Sequence, residues 1–572
     1  MNKVREAKGI RLILGYFGLF MIVEGLVTIF PLLILAFYPK EWECYLDFVI
    51  PGVSYMFLGL FIYLCTTAFR KKGKLQKNED SLLLVLLWLS ALFIGAIPFY
   101  LTAFPEFNNG NAAVNLGMSF TDSFFESTSG YSATGLTVFP KKAFLTGVDS
   151  SEYQWAHVFL FHRAVMQFVG GVGLVLLVAS VISSKNNFKL FFAEGHNDRL
   201  LPNLGKNAKL IFGIYFGWIV VGSLALWLAG MTPFDSFCHA TAAIATGGFS
   251  TRYSSIMFYS EATYSSFTNG NLLYTGNALA IEGITVVLML AGATNFVLHT
   301  FLLTGKIKSF SKDVEIKTAT ALIIFSTILT AVLTFSEHTY YYEEMESISI
   351  WLSLRYNFYN IVSSITTTGF TNFPNLAYLG HFSIFIGLIV MSIGGGMGST
   401  AGALKQYRFA LLFKEFSSSF KNRNSSDRYL HTNPITRLGQ TKEVDEESVK
   451  EATDYAILYI SFILLGTIGL LCLKNMNLEE AAYEWGTSLS GTGISIIDFA
   501  SYKANNGIVH YNVLLWLLDV AMFLGRLEIL PAFYGFRRFF ITPFEELAKH
   551  HQKMKHKKHA LEDLTINKSS EN

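Results

Sequence analysis

The chain has few charged residues and few cysteines. Asp, Glu, Lys and Arg make up 15% of its 572 residues, whereas a soluble domain carries about 25%. The four cysteines lie far apart in the sequence and lack the spacing of metal ligands. We therefore expect isolated thiols that behave as small apolar groups. These are Cys44, Cys65, Cys238 and Cys472.

Signatures of catalytic and nucleotide-binding sites are also missing. The chain has no HExxH zinc motif, no GxSxG nucleophile motif and no cluster of His and Cys residues. It has no Walker-type loop and no dinucleotide-binding βαβ unit, so nucleotide control would have to come from another chain. Acid pairs such as Glu479 and Glu480 fit helix capping better than catalysis. A polytopic membrane enzyme is therefore a remote alternative, and we expect no cofactor within the chain.

Long apolar runs dominate the sequence. Hydrophobic residues make up 51% of the chain, and the mean hydropathy is +0.38. Because a helix of about 20 apolar residues crosses the hydrocarbon core of a bilayer, we predict an all-α polytopic membrane protein with ten spans. The predicted spans are 10–37, 50–69, 80–104, 154–183, 208–229, 277–304, 318–336, 380–403, 452–473 and 507–535.

Lys and Arg are concentrated in alternate connections between these spans. They precede the first span, recur between spans two and three, four and five, six and seven, and eight and nine, and enrich the C-terminal tail. The positive-inside rule therefore predicts that both termini are cytoplasmic. The basic segments 405–442 and 537–558 then become cytoplasmic surfaces that could dock a partner or contact anionic lipid.

Four short segments, all on the predicted outer side, share one Gly-centred pattern. Each has a small or hydroxylated residue, then Gly, then a bulky apolar residue, then Ser or Thr, and the shared glycines are 113, 121 and 124 residues apart. A ring of four Gly-rich loops can offer backbone carbonyls to a dehydrated cation. The alternative is that each Gly is an ordinary bend where helices pack closely. The segments are Ala133–Thr137, Thr246–Ser250, Thr367–Thr371 and Gly491–Ser495.

Polar residues recur at fixed distances before each shared Gly. About 9–10 helix-compatible residues separate an acid from the loop, a length of ~15 Å that is half a bilayer. We therefore predict a re-entrant half-helix whose acid lies at its N-terminus and whose C-terminal end points inward. The third copy has Tyr in place of the acid, which predicts a weaker cap. Thirteen residues before the Gly stand Asp122, Asp235, Tyr356 and Glu480, and nine before it stand Glu126, His239, Asn360 and Glu484.

These patterns predict four M1–P-loop–M2 repeats around a pseudo-four-fold pore, where P-loop denotes the pore loop, plus two extra N-terminal membrane helices. Irregular backbone at membrane depth must be buried or line water, and convergence on one axis satisfies that requirement. The predicted boundaries are 1–77 for the two-helix region, 78–190, 191–305, 306–405 and 451–540 for the repeats, 406–450 for the cytoplasmic basic linker and 541–572 for the cytoplasmic tail.

The eighth span contains a Gly-rich interruption. Each Gly costs ~1 kcal/mol against Ala inside a helix, so five of them make an unbroken helix improbable. We predict a flexible loop beneath the filter that obstructs the pore when it is closed, with a Gly-rich helix-packing face as the alternative. Its residues are Gly394, Gly395, Gly396, Gly398, Ser399, Thr400 and Gly402.

Arg526 lies in the tenth span with apolar sequence on both sides. A central membrane Arg costs at least ~2.5–3.5 kcal/mol on insertion scales, so its side chain should face the pore, where it would act as an electrostatic barrier. The alternative is a structural pair with Glu528 or another buried acid. His162, Arg163 and Glu282 are further interior candidates, and we expect His299 to make a helix contact rather than bind an ion.

With these motifs together, the chain resembles the TrkH branch of the Trk/Ktr/HKT potassium transporters along nearly its whole length. The motifs that carry the resemblance include the second and third Gly loops, Gln167 with Gly170–Gly173, Asn295-Phe296 with His299, Gly394–Gly402 with Lys405, and Gly525-Arg526-Leu527-Glu528.

The resemblance implies a potassium uptake protein in a prokaryotic inner membrane. It also implies a homodimer with one pore per subunit, and a cytoplasmic ring of nucleotide-binding regulatory subunits of the TrkA kind. By the same resemblance, potassium contacts the backbone carbonyls of the loops, with the four shared glycines beside them. The carbonyls are those of Ala133, Thr134, Thr246, Gly247, Thr367, Thr368, Gly491 and Thr492, and the glycines are Gly135, Gly248, Gly369 and Gly493.

Two positions bear on how far the resemblance extends. In this family a Ser at the first shared Gly goes with sodium permeation in some members, so Gly135 favours potassium. Ala403 stands where the family usually has Gly, which leaves the details of gating open. A sodium-coupled or sodium-permeable transporter of the same superfamily remains the alternative, and the sequence does not decide between symport and passive flow.

Overall fold

A computed structural model gives the arrangement of the chain, and the predicted tail 541–572 lies outside the residues it describes. So do the two ends of the predicted fourth span and much of the basic connection that follows it. The described residues are 6–7, 9–67, 71–72, 79–104, 116–145, 156–173, 204–259, 277–341, 350–373, 380–423 and 434–540.

The first part of the described chain consists of two long helices followed by alternating long and short helices. Helices α1 and α2 are joined by two 3-10 turns, Phe30–Ala36 and Pro39–Cys44. The helices are α1 Ile10–Ile29, α2 Tyr45–Thr66, α3 Glu79–Leu101, α4 Phe120–Ser132, α5 Ala156–Val172, α6 Leu204–Leu228, α7 Pro233–Ile244, α8 Ala278–Gly292 and α9 Phe296–Leu303.

The second part repeats the alternation and adds a small hairpin. Strands β1 Glu6–Ala7 and β2 Lys71–Lys72 pair in parallel, and β3 Pro434–Arg437 pairs antiparallel with β4 Gln440–Glu443. The helices are α10 Ile307–Lys312, α11 Val314–Tyr341, α12 Ile350–Ile365, α13 His381–Ile393, α14 Gln406–Arg423, α15 Glu446–Leu471, α16 Leu478–Ser490, α17 Phe499–Arg526 and α18 Ile529–Phe540.

Helices α1 and α2 pack closely because glycines face each other where they cross. A Cβ at Gly18 would lie 2.5 Å from the carbonyl oxygen of Gly59, and one at Gly25 would lie 2.6 Å from that of Gly52. Small residues of this kind let membrane helices approach to backbone contact. This helix pair then packs against α3, the first helix of the alternating series.

The all-α membrane fold is confirmed, with fewer straight spans than predicted. The described residues contain seven helices long and apolar enough to cross a membrane, and an eighth if the bent pair α8 and α9 is one span. The unbroken span predicted at 277–304 is wrong, since α8 and α9 meet at 114°. The side chain of Asn295 accepts a hydrogen bond from the N–H of Val297 and so caps the second half. In the predicted span 380–403, α13 ends at Ile393.

The four short helices α4, α7, α12 and α16 are 12 to 16 residues long, not the predicted 9–10. At 1.5 Å per residue they still cannot cross a core of about 30 Å. The prediction was too short because it started each helix at the acid. Ser119 caps α4 and Asn477 caps α16, each three residues before its acid.

The acids at the starts of these helices act as caps in two of the four cases, and the carboxylate of Asp235 instead accepts from Thr251 and Arg252. Asp122 and Glu480 each complete a capping box with the N-cap residue, and the N–H of Asp235 donates to the side chain of Thr232. The expectation that Tyr356 marks the start of the third half-helix is wrong. The described helix α12 already begins at Ile350.

Polar side chains lie inside this fold and apolar ones face outward, the reverse of a soluble protein. Glu126, His239 and Glu484 are completely buried at the backs of the short helices. Meanwhile α6 and α11 expose large apolar side chains such as Trp227 and Phe325. Buried polar groups must find hydrogen-bond partners inside the protein, and those partners shape the site described next.

Candidate functional site

The four Gly-centred loops contact one another in a closed ring. The shared glycines have φ values of 102°, 70°, 88° and 80°, in the left-handed region that L side chains rarely adopt. A Cβ on any of them would overlap a carbonyl oxygen of the next loop, and the fourth contact returns to the first loop. Gly135 faces the oxygen of Gly247, Gly248 that of Thr368, Gly369 that of Thr492, and Gly493 that of Thr134.

The same backbone turn ends all four half-helices. The residue two before each shared Gly is left-handed, and the N–H of the next residue donates to a carbonyl five positions back, as Thr134 does to Ser129 at 3.0 Å. This is a helix C-cap that usually requires Gly. In three loops it is Ala or Thr, at a cost of order 1–3 kcal/mol. The left-handed residues of the four loops are Ala133, Thr246, Thr367 and Gly491.

Hydroxyl groups support three of the loops from behind, and a glutamine supports the other. The Oγ atoms of Ser132 and Thr134 are 2.7 Å apart, and equivalent pairs lie behind the third and fourth loops at 2.8 and 2.7 Å. In the second loop, Nε2 of Gln167 donates to the carbonyl of Gly247, and its Oε1 accepts from the N–H of Phe249 at 3.3 Å. Sequence reasoning placed Gln167 in a family motif but gave it no role.

A second clamp ties three of the four half-helices to the far side of their loops. The Glu126 carboxylate accepts from the Oγ1 of Thr137 at 2.9 Å, and Nε2 of His239 lies 2.8 Å from the Oγ of Ser250. Glu484 accepts from the Oγ of Ser495 at 2.8 Å. In all three cases the residue nine before the shared Gly holds the hydroxyl two after it. Both positions stood out in the sequence, and their constant separation is the signal that would have linked them.

Arg163 joins the first two loops. Its Nε lies 2.6 Å from Oε1 of Glu126, and its Nη1 donates to the carbonyl of Ser250 at 3.0 Å. The side chains of Arg163 and Glu126 are 2% and 0% exposed. Because the pair is sealed from solvent, each charge depends on the other for its stabilisation.

Replacing Glu126 by Ala is expected to destabilise the protein by about 3–5 kcal/mol, since it leaves the Arg163 charge buried without its carboxylate. The thermal melting of the detergent-solubilised protein measures this, with Glu446→Ala at an exposed acid as the control. The double variant Glu126→Leu/Arg163→Met should recover most of the loss. Equal melting of Glu126→Ala and the wild type would contradict the assignment.

A wide cavity opens on the side of the ring where the half-helices begin. It has a volume of about 580 Å³, and all four shared glycines lie in its wall. Two ion pairs lie in the same wall, Lys141 Nζ to Asp498 and Lys503 Nζ to Asp122, each at 3.6 Å. The cavity gives the ring access from that side.

On the opposite side of the ring lies the Gly-rich segment of the predicted eighth span. Thr400 Oγ1 donates to the carbonyl of Ile244 at 2.9 Å and accepts from the Oγ1 of Thr246 at 3.1 Å. The N–H of Gly402 donates to the Oγ1 of Thr367 at 2.9 Å. The segment is therefore an irregular loop bonded directly beneath the second and third Gly-centred loops. Gly394 and Gly398 have φ values of 72° and 75°, which a helix does not permit.

The break between α8 and α9 holds this loop in place. The N–H of Gly396 donates to the carbonyl of Ala293 at 2.9 Å, and that of Phe296 donates to the carbonyl of Gly398 at 3.2 Å. The side-chain amide of Asn295 donates to the carbonyl of Met397. The bend between α8 and α9, which the sequence did not predict, therefore holds the predicted Gly-rich loop in position.

Arg526 connects the loop to the first unit. Its Nη1 donates to the carbonyl of Thr400 at 2.9 Å, and its Nη2 donates to the carbonyls of Gly170 and Gly171. Glu528, the acid considered as a structural partner, accepts from Nη2 of Arg408 at 3.1 Å. The Arg526 side chain lines a small pocket between the ring and the loop.

The remaining interior candidates make structural contacts. Arg355 forms a two-pronged bond with the carboxylate of Glu282 at 2.8 and 2.7 Å. His299 accepts from the indole N–H of Trp218 and bonds the carbonyl of Ala291, which confirms the expected helix contact. Among the residues the structure describes, no group of three or more His, Cys, Asp or Glu could hold a metal.

The chain matches known proteins over most of its length. A family model described as "TrkH: Cation transport protein" matches residues 68–539. The Trk system potassium uptake protein TrkH of Escherichia coli K12 is 27% identical over 80% of this chain and 85% of its own length. An uncharacterized cation transporter of Methanocaldococcus jannaschii is 26% identical over 95% and 98%. In fold, the chain is similar to the crystal structure of the potassium transporter TrkH from Vibrio parahaemolyticus. That similarity has a TM-score of 0.70, at 24% identity over 94% of this chain and 99% of the other.

Proposed function

Because the chain belongs to the TrkH family of cation transport proteins, within the Trk/Ktr/HKT superfamily, we propose that it takes up potassium in a channel-like manner through the ring of Gly-centred loops. The single observation that carries the proposal is the closure of that ring, in which each shared Gly packs against a carbonyl of the next loop. Similar proteins named potassium uptake proteins support the choice of ion.

The proposed filter consists of backbone oxygens. A potassium ion must shed water in a narrow passage, and carbonyl oxygens replace that water without binding it too tightly for release. The nearby acids Glu126 and Glu484 accept hydrogen bonds at the backs of the loops, where they hold the loops in position. Its proposed potassium-binding residues are Ala133, Thr134, Gly135, Thr246, Gly247, Gly248, Thr367, Thr368, Gly369, Gly491, Thr492 and Gly493.

The proposed gate is the loop beneath the ring. Its bonds to Thr246 and Thr367, directly beneath the ring, support an obstructing position. Arg526 adds a positive charge and a bond to the loop at the same place. The proposed gating residues are Gly394, Gly395, Gly396, Gly398, Ser399, Thr400, Gly402 and Arg526.

Four M1–P-loop–M2 repeats with the boundaries given above remain the proposed organisation of this multi-pass membrane protein, with both termini in the cytoplasm of a prokaryotic cell. The order of elements supports it, because a long helix precedes each of α4, α7, α12 and α16 and another helix follows each of them.

The proposed partners are a second copy of the chain and a cytoplasmic nucleotide-binding subunit of the TrkA kind. Helix α14 supports a contact with another protein, because its side chains Phe413, Phe416 and Phe420 are 65%, 72% and 64% exposed. Large exposed apolar surfaces mark interaction sites. Potassium is the proposed cargo, and no cofactor is proposed for the chain itself.

Uptake of rubidium and sodium into proteoliposomes tests the function, alongside potassium-dependent growth of an uptake-deficient cell with and without the regulatory subunit. We expect rubidium uptake and rescued growth, both larger with the subunit. Gly493→Val, which would push a side chain into the carbonyl of Thr134, serves as the matched inactive control. Rubidium uptake equal to that control would contradict the proposal, and uptake that requires sodium would favour the sodium-coupled alternative.

A further inference from the structure

A small hairpin lies in the predicted basic linker, between α14 and α15. Strands β3 and β4 are joined by Leu438 and Gly439, whose φ values are 49° and 75°. Two left-handed residues in a two-residue connection match a type I′ turn, which rigidly fixes the register of a hairpin. Ile435 packs with Leu411 and Ala452 in a small apolar cluster, so the hairpin is docked against the helices on both sides of it.

The tip of this hairpin is bonded to the start of α11. The N–H of Leu438 donates to Oδ2 of Asp313 at 2.7 Å, and Nε of Arg437 donates to Oε1 of Glu315 at 3.1 Å. Asp313 and Glu315 are 0% and 1% exposed. The guanidinium of Arg437 also lies 4.2 Å from the ring centre of Tyr407, near the start of α14. Two buried acids therefore receive the hairpin tip.

The same Glu315 touches the loop proposed as the gate. A Cβ at Gly396 would lie 2.8 Å from Oε2 of Glu315, so the carboxylate lies directly against the loop backbone. Next to it, the side chain of Gln406 donates to the carbonyl of Gly394 at 3.0 Å. One continuous set of contacts thus runs from the hairpin tip through the first turn of α11 to the loop.

We propose that a regulatory partner controls the proposed gate by moving the hairpin Pro434–Glu443. We call the hairpin in this role the handle. While its tip is bonded to Asp313 and Glu315, the Glu315 side chain supports the loop in the obstructing position. Pulling the hairpin away withdraws that support and favours an open loop. The inference rests on the proposed gate and names the element through which its regulation acts.

The outer strand of the hairpin is suited to contact a protein partner. All four residues of β4 are exposed, and their side chains are polar or charged. An exposed strand edge offers main-chain groups for pairing with another chain. The partner's chemistry is therefore that of a cytoplasmic protein that adds backbone hydrogen bonds along Gln440–Glu443, with polar side chains around them.

Rubidium uptake without the regulatory subunit is the first test. Arg437→Gln and Glu315→Gln each remove the Arg437–Glu315 ion pair, one of the two contacts between the hairpin tip and the start of α11. Each is expected to raise uptake about fivefold or more, within the usual range of coupling between sites. The double variant should match the singles, because residues in one contact chain are not additive. Arg355→Gln, which breaks a similar pair with Glu282 away from the loop, should leave uptake unchanged. Wild-type uptake in both single variants, or a multiplied effect in the double, would overturn the handle.

A tethering experiment covers the case in which a single variant fails to fold. A Cβ at Gly439 would lie 3.3 Å from the ring of Phe301, so cysteines at both positions can be joined by a short, reducible thiol crosslinker. The tether is expected to abolish stimulation by the regulatory subunit, and reduction should restore it. Undiminished stimulation in the tethered protein would overturn the handle.

Arg526→Ala in the same assay separates the two proposals. If Arg526→Ala raises uptake while the hairpin variants do not, the result supports the proposed gate and contradicts the proposed role of the hairpin. If it leaves uptake low as well, the gate itself is wrong and the handle falls with it.

Discussion

Sodium permeation relative to potassium is expected to rise about tenfold when Gly135 is replaced by Ser, a change of about 1.4 kcal/mol in relative binding. The backbone at Gly135 has a φ of 102°, which strains any L residue. A Cβ there would also overlap the carbonyl oxygen of Gly247. The ring must therefore shift, and potassium loses well-placed oxygens. Selectivity depends on the number and placement of those oxygens, while sodium can keep more of its own water.

Paired uptake of rubidium and sodium in proteoliposomes measures the change. Gly305→Ser is the matched control, because Gly305 has a φ of 73° but no atoms near the position of an added Cβ. It introduces the same residue and a similar backbone strain away from the ring. If Gly135→Ser reaches the membrane and its ion preference is unchanged, Gly135 is not part of a selectivity filter.

Removing the Arg526 side chain is expected to raise uptake without the regulatory subunit by about tenfold or more. Its guanidinium bonds the carbonyl of Thr400 in the loop and that of Gly171 in the first unit. A hydrogen bond to a charged group contributes about 1.5–3 kcal/mol, so losing these bonds frees the loop. The positive charge beneath the filter disappears at the same time, which lowers the barrier to a cation.

Arg526→Lys separates these two causes. Lysine keeps the charge but cannot reproduce the forked geometry of the guanidinium. Uptake near the wild-type level in Arg526→Lys would assign the effect to charge, and uptake near that of Arg526→Ala would assign it to the bonds. Arg537→Ala, at an exposed arginine of α18, is the control. Unchanged uptake in Arg526→Ala would contradict the proposed gate.

The ring of loops could be expected from the sequence because its signal is local and repeated. Each loop has left-handed backbone at its shared Gly, the residue that best permits it, and four copies at similar spacing make coincidence improbable. The caps at Asp122 and Glu480 were predictable for the same reason, since capping acts within one helical turn.

The contacts that hold the ring were not predictable in the same way. Gln167 reaches Gly247 across 80 residues, and Asn295 reaches Met397 across 102. No local pattern marks such pairs, because the partners become neighbours only after the helices pack. The half-helix lengths were underestimated for a related reason. The acids are strong signals, but the residues that begin these helices are the N-caps before them.

Ala403 follows the Gly-rich loop and has a φ of 68°, a conformation that costs a residue with a Cβ about 1–2 kcal/mol. Lys405, two residues on, has a φ of 80°. The proposed obstructing position of the loop therefore includes backbone strain, which the contacts around the loop must offset. Leaving a strained position needs less free energy than leaving a relaxed one. We therefore expect more uptake without the regulatory subunit in this chain than in a relative with Gly at position 403.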